Sequence, residues 1–170
     1  MGHFLLWKIK NKEEQKMKNN YKILMSIQSY FAWQIMNGTK KFEFRKSPIK
    51  ESDFNKTIFL YSAKVDKAII GSFKVRKVHQ GNCEHILKVT GYDKRPDKNE
   101  IIDYYKNTDK CFALELYDVK RFEKTLSLNA MRKAKPNINL PQYYAHIHEK
   151  DVIYEILNKL EIINNKKDYN

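Results

Sequence analysis

Residues 22–45 constrain the fold of this chain more than any other stretch. Residues 22–27 form an apolar run, which predicts a buried strand. Residues 29–36 carry apolar side chains at helical spacing, and Gly38 follows them, where a glycine in the left-handed conformation can end a helix without steric cost. Residues 42–45 alternate phenylalanine with charged side chains, as a half-buried strand does. The stretch therefore predicts strand, helix, glycine stop and strand.

The second strand of this stretch has two chemically different faces. Side chains alternate along a strand, so the two phenylalanines point to one face, while Lys41, Glu43 and Arg45 point to the other. We expect the aromatic face to pack into a core and the charged face to line a cleft. Lys40 has the opposite parity to Glu43, and it can share that cleft only from the turn that precedes the regular strand.

The remaining sequence supplies further short strands, separated by polar segments that contain proline or glycine. Apolar or alternating runs predict strands at residues 57–61, 68–78, 111–117 and 143–147. Amphipathic runs predict helices at residues 100–105 and 152–160, whereas residues 86–89 fit a strand or the start of a loop. Five or six short, mostly antiparallel strands, with one helix between the first two, predict an α+β fold: a small β-barrel with helices packed at its side and ends.

The chain divides by composition into three segments. Residues 1–20 precede the first strand and are almost entirely polar from residue 11, so we expect a flexible N-terminal extension. Residues 21–148 contain all the predicted strands and form the domain. Residues 149–170 are expected to add a C-terminal helix and a polar tail.

The charge balance favours an anionic partner. The chain has 33 Lys and Arg against 20 Asp and Glu, a net charge of +13, and nucleic acid is the commonest partner of such a chain. A lysine-rich composition can also arise from an AT-rich genome, without any such partner. No apolar run reaches the roughly 18 residues of a membrane span, so we expect no membrane association.

The cysteine and histidine residues indicate a compartment but no metal. Cys83 and Cys111 are too few for a disulfide framework, which favours a cytoplasmic protein. The histidines and cysteines lack the paired spacing of a structural zinc site, and no glycine-rich phosphate loop occurs. We therefore predict neither a metal nor a cofactor.

The stretch that follows the first helix also has a family signature. Gly38-x-Lys40-x-x-Glu43-x-Arg45 resembles the G-x-K-x-x-E-x-R motif of the ASCH domain, a branch of the PUA-like superfamily, and the order of elements in residues 22–147 is similar to that of the family. The resemblance implies a PUA-like β-barrel whose cleft binds RNA or a modified base, with Lys40, Glu43 and Arg45 as cleft residues. It also implies two enzymatic alternatives, because one branch of the family hydrolyses N4-acetylcytidine and other members are described as ribonucleases. The amidohydrolase branch has threonine at the position of Glu43, so this chain departs from it there.

The three motif residues suit binding better than amide hydrolysis. A lysine that acts as base or nucleophile must be partly neutral, whereas a carboxylate beside it stabilises the ammonium form. We therefore interpret Lys40 as a fixed cation for a phosphate or a developing oxyanion, and Glu43 as a general base or as the acceptor for an exocyclic amine. Arg45 either binds a phosphate or holds Glu43 in place. An ordinary ion pair between Glu43 and Arg45 on a solvated strand explains the same pattern without a function.

Nucleotide recognition is the function that these observations favour. We expect an RNA-binding protein that receives a nucleotide or modified base in a basic cleft, in RNA metabolism or translation regulation, with DNA as an alternative ligand. Beyond the motif, we assign nucleic-acid contacts to Lys41, Tyr61, Lys64 and Arg76. The first alternative is a hydrolase on the same cleft, a ribonuclease or an N4-acylcytidine amidohydrolase, with Lys40 and Glu43 as catalytic residues. The second alternative is a regulatory interaction module without nucleic acid, and the sequence identifies no protein partner.

Overall fold

The computed structural model of the protein describes residues 2–166, with side chains described at residues 4–12 and 20–166. The strands are β1 (Tyr21–Gln28), β2 (Phe42–Arg45), β3 (Ile58–Ala63), β4 (Ala68–Gly81), β5 (Cys111–Ser127) and β6 (Tyr144–His148). The helices are α1 (Gly2–Asn19), α2 (Ser29–Met36), α3 (Cys83–Thr90), α4 (Lys98–Tyr104), α5 (Leu128–Ala134) and α6 (Val152–Asn165).

The six strands form one mixed, open sheet. Their order is β2-β5-β4-β3-β1-β6, with β1 parallel to β3 and antiparallel to β6, and with β2 antiparallel to β5. The α+β class, the six strands and the helix between the first two strands are confirmed. The predicted barrel is not confirmed, because β2 and β6 are the outer strands and do not pair with each other within residues 2–166. Periodicity predicts strands, whereas closure depends on pairing between segments distant in the sequence.

The chain folds as two compact units, each with its own core. The first unit contains the residues up to Ala32, Ile58–Gly71 and the residues from Arg121 onward, and the second contains Trp33–Thr57 and Ser72–Lys120. The first core is built by Leu24, Phe59, Tyr61, Ile69, Phe122, Met131, Ile153, Leu157 and Leu160. Helix α6 confirms the prediction for residues 152–160, since its buried positions recur at the spacing of one helix face.

The second core lies around β2 and α3. It is built by Phe44, Ile86, Leu87, Tyr92, Ile101, Tyr105, Cys111 and Ala113. Residues 86–89, predicted as a strand or a loop, belong instead to α3. Asn82 caps this helix by accepting a hydrogen bond from the His85 N–H at 2.9 Å, and Gly91 ends it in the left-handed conformation (φ 74°). A short apolar run fits a strand or a helix equally, and these flanking residues decide between them.

Helix α1 leaves its large apolar side chains exposed. Four consecutive side chains have exposed fractions of 60–64%: Phe4, Leu5, Leu6 and Trp7. None of the described helices combines the length and the apolar character that a membrane span requires. The flexibility of residues 1–20 and the boundaries of the three segments stay predictions. Residues 167–170 of the polar tail lie outside the described residues.

Candidate functional site

Helix α2 ends in a turn that places Lys40 in front of β2. Gly38 has φ 75°, and its N–H donates to the Ile35 carbonyl at 3.0 Å. The Thr39 N–H donates to the Gln34 carbonyl, also at 3.0 Å. These two bonds form a Schellman motif, which satisfies the last carbonyls of the helix. The Lys40 N–H donates to the Gln34 carbonyl at 3.1 Å, so Lys40 lies in the turn and not in the regular strand.

Lys40, Glu43 and Arg45 come together in one cluster, which we call the Lys40 centre. The Lys40 Nζ donates to Glu43 Oε2 and, at 2.6 Å, to the Phe42 carbonyl. The Arg45 Nη2 lies 3.0 Å from Glu43 Oε1. Each carboxylate oxygen of Glu43 therefore contacts a different cation, and the cluster keeps one net positive charge.

The Lys40 centre is buried, unlike an ordinary ion pair on a solvated strand. Lys40 and Glu43 are each 5% exposed, and the Arg45 side chain is 15% exposed. Burial lowers the pKa of Lys40 below its ordinary value, while the carboxylate of Glu43 acts in the opposite direction. Loss of hydration is the larger effect, so the ammonium form is less strongly favoured than the sequence predicts.

Two residues that the motif does not contain, Tyr92 and Arg95, lie beside the Lys40 centre. The Tyr92 ring packs edge-on against Phe44, with ring centroids 4.8 Å apart, and the Arg95 guanidinium lies 4.3 Å from the Tyr92 ring centroid. Arg95 adds to the lowering of the Lys40 pKa that burial causes. Burial raises the pKa of Tyr92, and the charge of Glu43 adds to that rise. The Tyr92 hydroxyl is buried and forms no hydrogen bond with the described residues. No periodic pattern marks the turn that carries these residues, so only packing reveals them.

Two further residues of the second unit that are predicted to contact nucleic acid, Lys41 and Arg76, lie outside the Lys40 centre. Lys41 is exposed, and its backbone carbonyl accepts a hydrogen bond from the Leu116 N–H at 2.9 Å. The Arg76 side chain is 62% exposed and lies 3.8 Å from Glu115 Oε1 and 4.8 Å from the Tyr117 ring centroid. Among the described contacts, neither Lys41 nor Arg76 is ion-paired with the Lys40 centre. Their nucleic-acid contacts stay predictions.

Tyr61 and Lys64 belong to the first unit, where both line a cleft of about 680 Å³. We call it the Lys64 cleft, and its other lining residues are Ser26, Ala63, Asp66, Lys67, Ser127, Leu128, Asn129, Arg132, Leu140, Pro141 and Gln142. Tyr61 is 5% exposed and packs in the first core, and burial raises its pKa while Arg132 opposes the rise. The residues predicted to contact nucleic acid therefore fall into two groups, one in each unit.

The described side chains form no metal centre. Among the side chains at residues 4–12 and 20–166, no three His, Cys, Asp or Glu residues come together as metal ligands. Cys83 and Cys111 are both free thiols.

The fold and the Lys40 centre together define a class of protein: an α+β domain built around a buried, charged helix-to-strand junction. The family model of the ASCH domain matches residues 25–126, and the chain therefore belongs to the ASCH domain family. The family resemblance of the Gly38–Arg45 motif is thus confirmed.

Solved structures share this fold at low sequence identity. The crystal structure of ASCH from Zymomonas mobilis has a TM-score of 0.69 and 21% identity, and the match covers 80% of this chain and 94% of that chain. A mutant of the same protein has a TM-score of 0.71 and 21% identity, with coverage of 85% and 99%. The N-terminal domain of Staphylothermus marinus McrB has a TM-score of 0.54 and 14% identity, with coverage of 81% and 93%. No curated protein matches the chain significantly.

Proposed function

We propose that this ASCH domain protein binds RNA in the cytoplasm and recognises one nucleotide or modified base at the Lys40 centre. The observation that carries the proposal is the buried carboxylate of Glu43, held between two cations. A buried ion pair is seldom the most stable way to fill a core, and ionisable groups held in low dielectric are concentrated at functional sites. The resemblance of Gly38–Arg45 to the family motif supports it as well, because that resemblance implies that the same three residues line the ligand cleft.

The chemistry of the Lys40 centre suits a nucleobase next to a phosphate. The Glu43 carboxylate can accept a hydrogen bond from an exocyclic amine, as carboxylates do from the cytosine amino group. Lys40 and Arg45 keep that carboxylate fixed, and their net positive charge attracts the phosphate backbone. The Tyr92 hydroxyl is buried beside them and can donate to a carbonyl of the base. Exposed Lys41 and Arg76 then extend the contact along the backbone.

The thiols support the proposed compartment, and the net charge supports the proposed ligand. Both cysteines are free, as in proteins of a reducing cytoplasm. The net charge of +13 favours an RNA ligand by long-range attraction.

Fluorescence anisotropy with a labelled single-stranded RNA tests this function. We expect binding that weakens steeply between a low and a high salt concentration, because bound cations release counterions from the RNA. Glu43→Gln keeps the shape of the side chain but removes the charge that accepts the amine, and we expect roughly tenfold to hundredfold weaker binding. Glu84→Gln, an exposed carboxylate of the same unit, is the matched control and is expected to bind as the wild type does.

Two results would contradict the proposal. Absence of binding at low salt excludes RNA recognition, and the regulatory interaction module and the hydrolase of N4-acetylcytidine then remain. Equal affinity of Glu43→Gln and Glu84→Gln, with thermal unfolding of both variants like that of the wild type, removes Glu43 from the recognition site.

A hydrolase at the same centre is the second candidate, and the lowered pKa of Lys40 favours it. Burial increases the fraction of neutral amine, which a general base or nucleophile needs. Glu43 would then orient Lys40 or accept a proton from water. Product analysis of RNA and of N4-acetylcytidine with the wild type, Lys40→Ala and Glu43→Ala separates the candidates. Product from the wild type alone identifies an enzyme, and its absence from all three identifies a binding protein.

A further inference from the structure

Three cations of the Lys64 cleft have no ionic partner in the described part of the chain. Lys64, Lys67 and Arg132 line the cleft, and none of them lies within 4.0 Å of a described carboxylate oxygen. Elsewhere in the same unit, Lys22 is paired with Glu161 at 2.6 Å. Like charges that line one cleft without direct ion pairs create a positive potential that favours an anionic ligand.

The loop between β3 and β4 holds two of these lysines in a left-handed backbone conformation. Lys64 has φ 72° and Lys67 has φ 48°, a region that favours glycine. The Ser29 hydroxyl fixes the loop, because it accepts hydrogen bonds from the N–H groups of Val65 and Asp66, both at 3.3 Å. Backbone strain that the surrounding structure maintains is typical of binding sites.

The charge and size of the cleft indicate the class of ligand. Asp66 also lines the cleft, and it accepts a hydrogen bond from the Ser62 hydroxyl. Three cations and one carboxylate leave two net positive charges, which match a phosphate monoester, at about −1.5 to −2 near pH 7, better than a singly charged phosphodiester. A volume of about 680 Å³ is typical of a small-molecule site, and Leu140 and Pro141 provide an apolar wall for a base.

We propose that the Lys64 cleft binds a 5′-phosphorylated nucleotide. The phosphate binds Lys64, Lys67 and Arg132, and the sugar hydroxyls donate to Asp66. A free mononucleotide and the 5′-terminal nucleotide of an RNA share this chemistry. The cleft shares no residue with the Lys40 centre, so the site does not rest on the function proposed above.

Isothermal titration of the whole chain with 5′-AMP, and with adenosine as the phosphate-free probe, tests the site. We expect 5′-AMP to bind and adenosine to bind at least about tenfold more weakly, because it lacks the charge-assisted hydrogen bonds. Arg132→Glu should weaken 5′-AMP binding by a factor on the order of ten or more. Lys133→Glu changes the net charge equally, on the next and exposed residue outside the cleft, and should leave the affinity unchanged.

Lys64→Gly provides a variant whose folding is not in doubt. Glycine suits the φ of 72°, so thermal stability should be kept or raised while 5′-AMP affinity falls. No saturation by 5′-AMP at millimolar concentration overturns the proposal. Equal weakening by Arg132→Glu and Lys133→Glu also overturns it, because the effect then comes from net charge alone.

The ligand is either a free mononucleotide or the 5′-terminal nucleotide of an RNA. Titration with a short RNA that carries a 5′-phosphate, and with the same RNA ending in a 5′-hydroxyl, distinguishes the two. Preference for the phosphorylated RNA, lost in Arg132→Glu, supports the site and identifies an RNA end as the ligand. Binding of 5′-AMP without preference between the RNAs supports the site and identifies a free nucleotide.

Discussion

Removal of the Lys40 ammonium tests what the buried pair contributes to stability. Lys40→Met keeps an unbranched stem near Phe44 but removes the donor to Glu43 and to the Phe42 carbonyl. Removal of one partner from a buried ion pair costs about 3–5 kcal/mol, because the other charge stays buried. Arg45 remains 3.0 Å from Glu43 and offsets part of this cost, so we expect the free energy of unfolding to fall by about 2–4 kcal/mol.

Urea unfolding at pH 7, followed by circular dichroism, measures this change. Lys88→Met is the matched control, because Lys88 pairs with Glu84 at 2.8 Å but its side chain is 65% exposed, and its effect should be far smaller. The double variant Lys40→Met/Glu43→Gln should recover part of the loss, since it removes the orphaned carboxylate. If Lys40→Met costs no more than Lys88→Met, the reasoning from burial is wrong.

The pH dependence of stability, compared between the wild type and Lys40→Met, tests the lowered pKa of Lys40. Burial lowers the Lys40 pKa in the folded protein, so between that pKa and the ordinary value of 10.5 the unfolded chain binds more protons than the folded chain. The Lys40 contribution to stability therefore rises as the pH rises through this window. Lys40→Met lacks the rise, so the wild type should gain stability relative to the variant as the pH approaches 10.5. A falling difference would contradict the direction of the pKa change.

Two further substitutions test the elements around the Lys40 centre. Gly38→Ala should cost about 1–2 kcal/mol in urea unfolding, because φ is 75° there, although no atom lies within 4 Å of the added Cβ. Gly38→Asn should cost less, since asparagine tolerates this conformation, and equal costs would contradict the backbone explanation. Tyr105→Phe removes the buried hydroxyl that donates to the Phe112 carbonyl at 2.6 Å, and we expect a loss of about 1–2 kcal/mol. An unchanged midpoint would show that this bond adds nothing to stability.

The fold is predictable from the sequence where local rules decide it. The Gly38 stop, the strand that follows it and helix α6 all depend on glycine conformation or on periodicity, and the structure has each of them. As an apolar run, residues 86–89 fit a strand or a helix equally. Asn82 and Gly91, which begin and end α3, favour the helix. The open sheet is not predictable in this way, because strand order depends on contacts between distant segments.

The candidate site is likewise predictable from the sequence only where local rules decide it. Strand parity predicts that Glu43 and Arg45 share a face, and that Lys40 joins them only from the turn, as the structure shows. Tyr92 packs against Phe44 in the second core, and no local pattern connects it to the motif. Arg132 meets Lys64 in the cleft only because tertiary folding brings α5 to the loop between β3 and β4.

The place of β1 in the sheet affects how this chain folds during synthesis. Ile23 pairs with Ile58 of β3 on one side and with His146 of β6 on the other. Ribosomes add about 5–20 residues per second, so β6 is synthesised on the order of ten seconds after β1 and β3. During this interval β1 presents an unpaired edge rich in apolar residues, which is prone to pairing with other chains. We expect a chain truncated before Tyr144 to keep that edge unpaired, and therefore to associate with other chains more readily than the full chain does.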